Sequence, residues 1–156
     1  MDIVDPTSVV ASHQLLTSIF GQWPSFHDAE VVDLHLWRGN VEPDRGTYIF
    51  PVLTVKLIIV ELCRSAHDKT GLELLPRARV TLRFRDVDEL DLKGFNHCNQ
   101  IVGLSFGLQE RGTFTDGSPL PPYVLVKFEP GFGVSASFKC FGVEVVEAVP
   151  WAPDSA

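Results

Sequence analysis

"RARVTLRFRDV", Arg77 to Val87, alternates without a break. Val80, Leu82 and Phe84 fall on one face of an extended chain, and Arg77, Arg79, Thr81, Arg83 and Arg85 on the other. One apolar face and one solvated face is the pattern of an antiparallel strand lying on a core.

The neighbouring segments extend the sheet. Upstream, "PVLTVKLIIVEL" (51–62) is a β-branched run long enough for a central strand. "CRSAHDKTGLELLP" (63–76) reads as a loop or a short irregular insertion. Downstream, "DELDLKGF" (88–95) is a short further strand. "NHCNQIVGLSFGLQERG" (96–112) reads as a turn followed by a strand from Gly103 to Glu110. "TFTDGSPLPPY" (113–123) is a turn-rich loop. The segment 123–149 reads as two strands joined at "EPGFG", with Val134, Ala136, Phe138 and Cys140 alternating with Ser135, Ser137, Lys139 and Phe141.

The N-terminal part differs. Pro6 suits a first helical turn, Thr7 or Ser8 could cap it, and Val9, Val10, Leu15, Leu16, Ile19 and Phe20 recur near helical spacing. Gly21 fits the stop, and Pro24 prevents continuation. Period two resumes from Ala29 to Trp37, with Val32, Leu34 and Leu36 on one face and Asp33, His35 and Trp37 on the other. "GNVEPDRG" (39–46) is a loop. One helix followed by strands on short loops has no βαβ rhythm. The expected fold is α+β, an N-terminal helix packed on a mostly antiparallel meander sheet of about six or seven strands. Residues 1–150 are expected to form one domain and 151–156 a loose tail.

Composition narrows the function. Lys and Arg number 13 against 20 Asp and Glu, a net charge of −7. The two halves, 1–78 and 79–156, each hold ten acids, against six and seven bases, so there is no acidic tail or basic arm. That balance argues against nucleic-acid binding and is compatible with a basic protein partner. Cys63, Cys98 and Cys140 are scattered and odd in number, which suits reduced thiols. The start "MDIVDPTSVV" lacks a basic n-region, and the longest apolar run, Ile49 to Cys63, contains Pro51, Lys56 and Glu61. These features predict a cytoplasmic protein that does not enter a membrane.

The densest set of chemically able side chains is "QWPSFHDAEV", Gln22 to Val31. His27 and Asp28, with His35 on the next strand, suggest a metal-dependent hydrolase, since a catalytic metal needs converging His and carboxylate donors. Strand alternation works against convergence: Asp28 and Glu30 share one face, and His27, Asp33 and His35 the other. The plainer reading is a chain reversal between helix and sheet. Pro24 sets the turn, Ser25 or Asp28 hydrogen-bonds nearby backbone, Trp23 and Phe26 close the end of the core, and His27 is at least half-buried. A contact with a partner is the third reading.

Arg77, Arg79, Arg83 and Arg85 line one sheet face, a possible anion-facing row. The alternative is cross-strand pairing with acids such as Asp33 or Glu61. Cys98 beside His97 invites a nucleophile reading, but adjacent residues rarely aim at each other. "GFGVSASF" lacks the lysine of a phosphate-binding loop and reads as a hairpin.

"WPSFHDAEV", placed after a short helix and before a strand of the type "VDLHLWR", resembles the immunity protein 50 family of small bacterial proteins associated with polymorphic toxin systems. The correspondence runs from Trp23 to Trp37. The resemblance implies a cytoplasmic protein that binds and neutralises a cognate toxin. It supplies no catalytic residues and no cofactor, and marks Trp23, Phe26, His27, Asp28 and Glu30 as motif positions. Its mechanism would be steric, through an interface of roughly 1,600 Å², for which the loops "NVEPDRGTY" and "TFTDGSPLPPY" are candidates. The competing expectations are the hydrolase and a homo-oligomeric β-sheet ligand-binding protein that pairs through an edge strand such as Val134–Cys140.

Overall fold

The computed structural model describes residues 1–42, 47–48, 50–60 and 77–151. Elements follow in the order β1 (Val10–Ala11), α1 (Gln14–Phe20), β2 (Glu30–Trp37), β3 (Val41–Glu42), β4 (Thr47–Tyr48), β5 (Val52–Val60), β6 (Arg77–Arg85), β7 (Asp88–Lys93), β8 (Ile101–Gln109), β9 (Tyr123–Pro130), β10 (Ser135–Cys140) and β11 (Gly142–Pro150). The loop expected at 63–76, together with Glu61, Cys63 and His67, lies outside the described residues.

The fold is mostly β, but the expected single meander is replaced by two sheets. One is five-stranded in the order β1-β11-β6-β5-β2; the other is four-stranded in the order β7-β10-β9-β8; β3 and β4 pair only with each other. Every pairing is antiparallel except β1 with β11. The sheets face each other across one apolar core. Phe84 of β6 meets Phe128 of β9 and Phe138 of β10, with ring centroids 6.0 and 5.0 Å apart.

Sharp corners divide the strands between sheets. β6 ends at Arg85, and Asp86 takes a left-handed backbone (φ 58). The Val87 N–H then donates to the Pro51 carbonyl, and β7 starts in the other sheet. β10 and β11 are separated by Phe141 alone, whose N–H donates to the Arg85 carbonyl. The segment read as two strands is therefore three. β10 lies between β7 and β9, so Val134–Cys140 is no edge strand.

The expected N-terminal helix is broken. A 3₁₀ turn, Pro6–Ser8, is capped by Asp5, whose carboxylate accepts from the Thr7 N–H at 3.0 Å. Val10 then joins Val143 in the sheet and is buried. Two β-branched residues at 9 and 10 gain more from sheet packing than from a helix. Within the segment expected to be helical, Gln14–Phe20 is α-helical; it packs along β11 and buries Leu16. Gly21, at φ 78, ends it as expected, its N–H donating to the Thr17 carbonyl.

Several strands follow the sequence closely. β6 buries Ala78, Val80, Leu82 and Phe84, and β5 buries Leu53, Val55, Leu57 and Ile59 from the interior of its sheet. β2 departs through a bulge between Val31 and Asp33. Val31 is buried and Leu34 packs against the core, but Val32 is turned out and 48% exposed. Asp33, His35 and Trp37 lie opposite Lys56, Thr54 and Val52, on the outward face. No helix among the described residues is long and apolar enough to cross a membrane.

Candidate functional site

The Trp23–Glu30 stretch joins the two sheets. The Asp28 N–H donates to the Ile101 carbonyl, the Ile101 N–H to Ala29, and the Val31 N–H to Asn99. The start of β2, an edge of one sheet, is thereby bonded to the start of β8, an edge of the other. The chain reaches this position through two left-handed residues, Phe26 (φ 61) and Asp28 (φ 64). For a buried phenylalanine that backbone costs on the order of 1–2 kcal/mol; the position of its ring offsets the cost. Phe26 is fully buried, 5.5 Å from the Trp23 ring, and Trp23 lies 6.3 Å from Phe106 of β8. Both aromatics close the core as expected. Trp23 Nε1 is buried with no hydrogen-bond partner among the described residues.

The polar members of the motif go separate ways. Ser25 Oγ accepts from the His27 N–H at 3.2 Å, which is the expected turn bond. His27 itself is exposed, contrary to the expectation of a buried or half-buried ring, because the Phe26 turn directs it outward. Its Nδ1 sits 3.1 Å from Asp28 Oδ2, a solvated pair. Glu30 turns away and accepts from the Asn99 N–H at 3.1 Å. His35 lies on the outward face of β2, opposite Thr54. Among the described residues no three His, Cys, Asp or Glu side chains are grouped to hold a metal ion. His27, Asp28 and His35 do not form the donor set a hydrolase would need.

Asn99 was not singled out from sequence, yet it is the buried polar residue at this junction, 3% exposed. Its Oδ1 accepts from the Asn96 N–H at 2.8 Å and its Nδ2 donates to the Asn96 carbonyl at 2.6 Å. Asn96 Oδ1 accepts from the Cys98 N–H at 2.8 Å. The β9–β10 turn packs directly on this loop: the Gly131 and Phe132 N–H groups both donate to the Gln100 carbonyl. The spacing "NHCN" is a usable signal of such side-chain-to-backbone turns. Cys98 and His97 belong to this loop, in which the Cys98 backbone N–H is held by Asn96.

The arginine row occupies the outward face of the five-stranded sheet. Register sets His35, Thr54, Arg83 and Glu144 in one line across it, and Trp37, Val52, Arg85 and Gly142 in the next. Glu144 Oε1 takes both guanidiniums, Arg85 at 2.6 Å and Arg83 at 3.5 Å. Cross-strand pairing is therefore present, with Glu144 rather than Asp33 as its acid. Arg79 lies over the Trp151 ring at 5.7 Å, and the Trp151 N–H donates to the Arg77 carbonyl. A groove of about 560 Å³ is lined by His35, Trp37, Val52, Thr54, Arg83, Arg85 and Asp86. A second, of about 600 Å³, includes Val32, Lys56, Ile58, Arg79, Glu147 and Val149. The β10–β11 corner carries an unforeseen cluster: Arg111 stands over Phe141 and Tyr123 at 4.5 and 4.9 Å, and these two rings stack 4.9 Å apart.

The model of the family described as Immunity protein 50 matches residues 12–150. The chain belongs to the immunity protein 50 family. The match takes in the Trp23–Glu30 junction, the arginine row and every strand but β1 of the two large sheets, far beyond the Trp23–Trp37 correspondence. No curated protein and no solved structure matches the chain. As a member of the immunity protein 50 family, it carries the motif tryptophan and phenylalanine as parts of the core and its histidine at the surface.

Proposed function

We propose that this protein neutralises a cognate bacterial toxin by binding it, without catalysis of its own. The observation that carries this reading is membership of the immunity protein 50 family across residues 12–150. The side-chain geometry supports it: Trp23, Phe26 and Glu30 of the motif are taken up by core and backbone, and one groove on the outward sheet face combines two arginines with an exposed tryptophan. Arg and Trp are the residue types that most often anchor protein interfaces. Neutralisation would be stoichiometric, the bound partner losing access to its own substrate.

Co-expression with each toxin domain found encoded near its gene tests this. Cells producing both proteins are expected to grow, and cells producing the toxin alone to die. Death of both cultures, with the present protein folded and abundant, would overturn the reading.

A further inference from the structure

We infer that the partner docks on the outward face of the five-stranded sheet, where Arg83, Arg85 and Trp37 receive an acidic segment carrying an apolar side chain. The inference rests on the toxin-binding reading and adds the surface and the chemistry of its occupant.

Charge pairing separates the two sheets. On the four-stranded sheet each lysine has its own carboxylate: Lys93 with Asp91, Lys127 with Glu129 and Lys139 with Glu89. On the five-stranded face two arginines share Glu144, and Lys56, Arg77 and Arg79 have no ion pair among the described residues. That face holds Lys56, Arg77, Arg79, Arg83 and Arg85 against Asp33, Glu144, Glu147, the corner Asp86 and, at its edge, Glu30, whose carboxylate is engaged by the Asn99 N–H; it is balanced in formal charge on a chain of net charge −7. A partner's acidic segment meets less repulsion here than on the rest of an acidic protein, and finds cations not already matched one-to-one with carboxylates, which favours this position and orientation.

The local chemistry specifies the contact. Each guanidinium presents five N–H donors, so one glutamate leaves most of the Arg83 and Arg85 donors available for a second carboxylate. Trp37 and Val52 line the same groove and offer an apolar wall beside the charge, with Trp37 45% exposed. The second groove continues along the next lines of the sheet, where Lys56 faces Thr81 and Ile58 faces Arg79. A single small anion would use the Arg83–Arg85 pair alone. Apolar and cationic groups repeated over two grooves suit a protein segment.

The test uses as probe the toxin domain against which the co-expression assay shows protection, with binding read by calorimetry on the full chain. Trp37→Ala is expected to raise Kd roughly 30-fold or more, and Arg85→Glu at least about tenfold. Lys127→Glu on the opposite sheet is expected to change it by less than about threefold. Circular dichroism and unfolding midpoints confirm that each variant is folded. Amide NMR shifts on toxin addition give an independent map, expected at Thr54, Thr81 and Arg83 rather than at Ser105 and Ser137. Wild-type binding that survives Trp37→Ala and Arg85→Glu, with shifts on the four-stranded sheet, overturns the docking surface and leaves the toxin-binding reading intact. No binding by wild type overturns that reading as well. The same shifts produced by inorganic phosphate and not by toxin would assign the groove to a small anion. Self-association abolished by Arg85→Glu would assign the face to a second copy. Either result overturns the proposal.

Discussion

The Asn99 N–H donates to the Glu30 carboxylate at 3.1 Å, joining positions 69 apart in sequence. Around this bond the start of β2 meets the start of β8, and the edges of the two sheets become one continuous wall. Asn99 also bonds the Asn96 backbone through both ends of its amide. Its replacement by alanine removes both of these part-buried bonds, which costs about 1–2 kcal/mol. Glu30→Gln keeps an acceptor for the Asn99 N–H and should lose less stability than Glu30→Ala. Urea unfolding of the three variants measures this order; equal losses for Glu30→Gln and Glu30→Ala would show that the acceptor is unimportant.

The motif predicts two opposite responses within two neighbouring residues. Phe26 is fully buried against Trp23, so Phe26→Ala should destabilise by about 3–5 kcal/mol. His27 is exposed and its pair with Asp28 is solvated, so His27→Ala should change stability by less than about 0.5 kcal/mol. Thermal unfolding of both variants checks the contrast. If His27→Ala leaves the midpoint unchanged and abolishes protection against toxin, the histidine is a partner contact.

The sequence was most informative where one strand reports its own faces. Arg77 to Arg85 alternates as read, and Val80, Leu82 and Phe84 are buried. Alternation does not say which sheet a strand joins. Asp86–Val87 and Phe141 are corners of two and one residues, and from sequence a corner of that length reads as a turn or as continuous strand. The break of the N-terminal helix at Val10 depends on Val143, more than a hundred positions away. The Trp23 and Phe26 anchors were legible because two aromatics beside a proline need a buried site. The outward turn of His27 was not, because it follows from a left-handed backbone at Phe26, a conformation that sequence does not suggest for an aromatic.

Gly133 is fixed by a close backbone approach. It has φ 79, and a methyl group there would run into the Cys98 carbonyl oxygen and come within 2.9 Å of Asn99 Oδ1. Gly133→Ala adds left-handed strain to a collision with backbone, a loss of about 2 kcal/mol or more. Gly112 also has positive φ, at 98, but open space where a side chain would point. Gly112→Ala should therefore cost only the conformational part, on the order of 1 kcal/mol. Denaturant midpoints of the two variants decide; a Gly133→Ala loss no larger than that of Gly112→Ala would mean that the 98–100 loop moves aside freely.

Cys140 couples stability to alkaline pH. Burial pushes its thiol up to about 12 from an ordinary 9.0, with a hydrogen bond from Gly142 pulling weakly the other way. The folded state thus holds this proton over a range where the unfolded chain has released it. Above pH 9 the unfolded state binds fewer protons, so stability falls as pH rises, by up to about 1.4 kcal/mol per unit from this group. Its contribution is complete below 9 and lost progressively up to about 12. Cys140→Ala should flatten that part of the profile while lowering stability at pH 7 through the lost packing. Thiol labelling at pH 8 followed by peptide mapping gives the second readout. Cys98, only partly buried, should be modified in the native protein, and Cys140 only after unfolding. Native labelling of Cys140 at a rate similar to that of Cys98 would contradict the burial that raises its pKa.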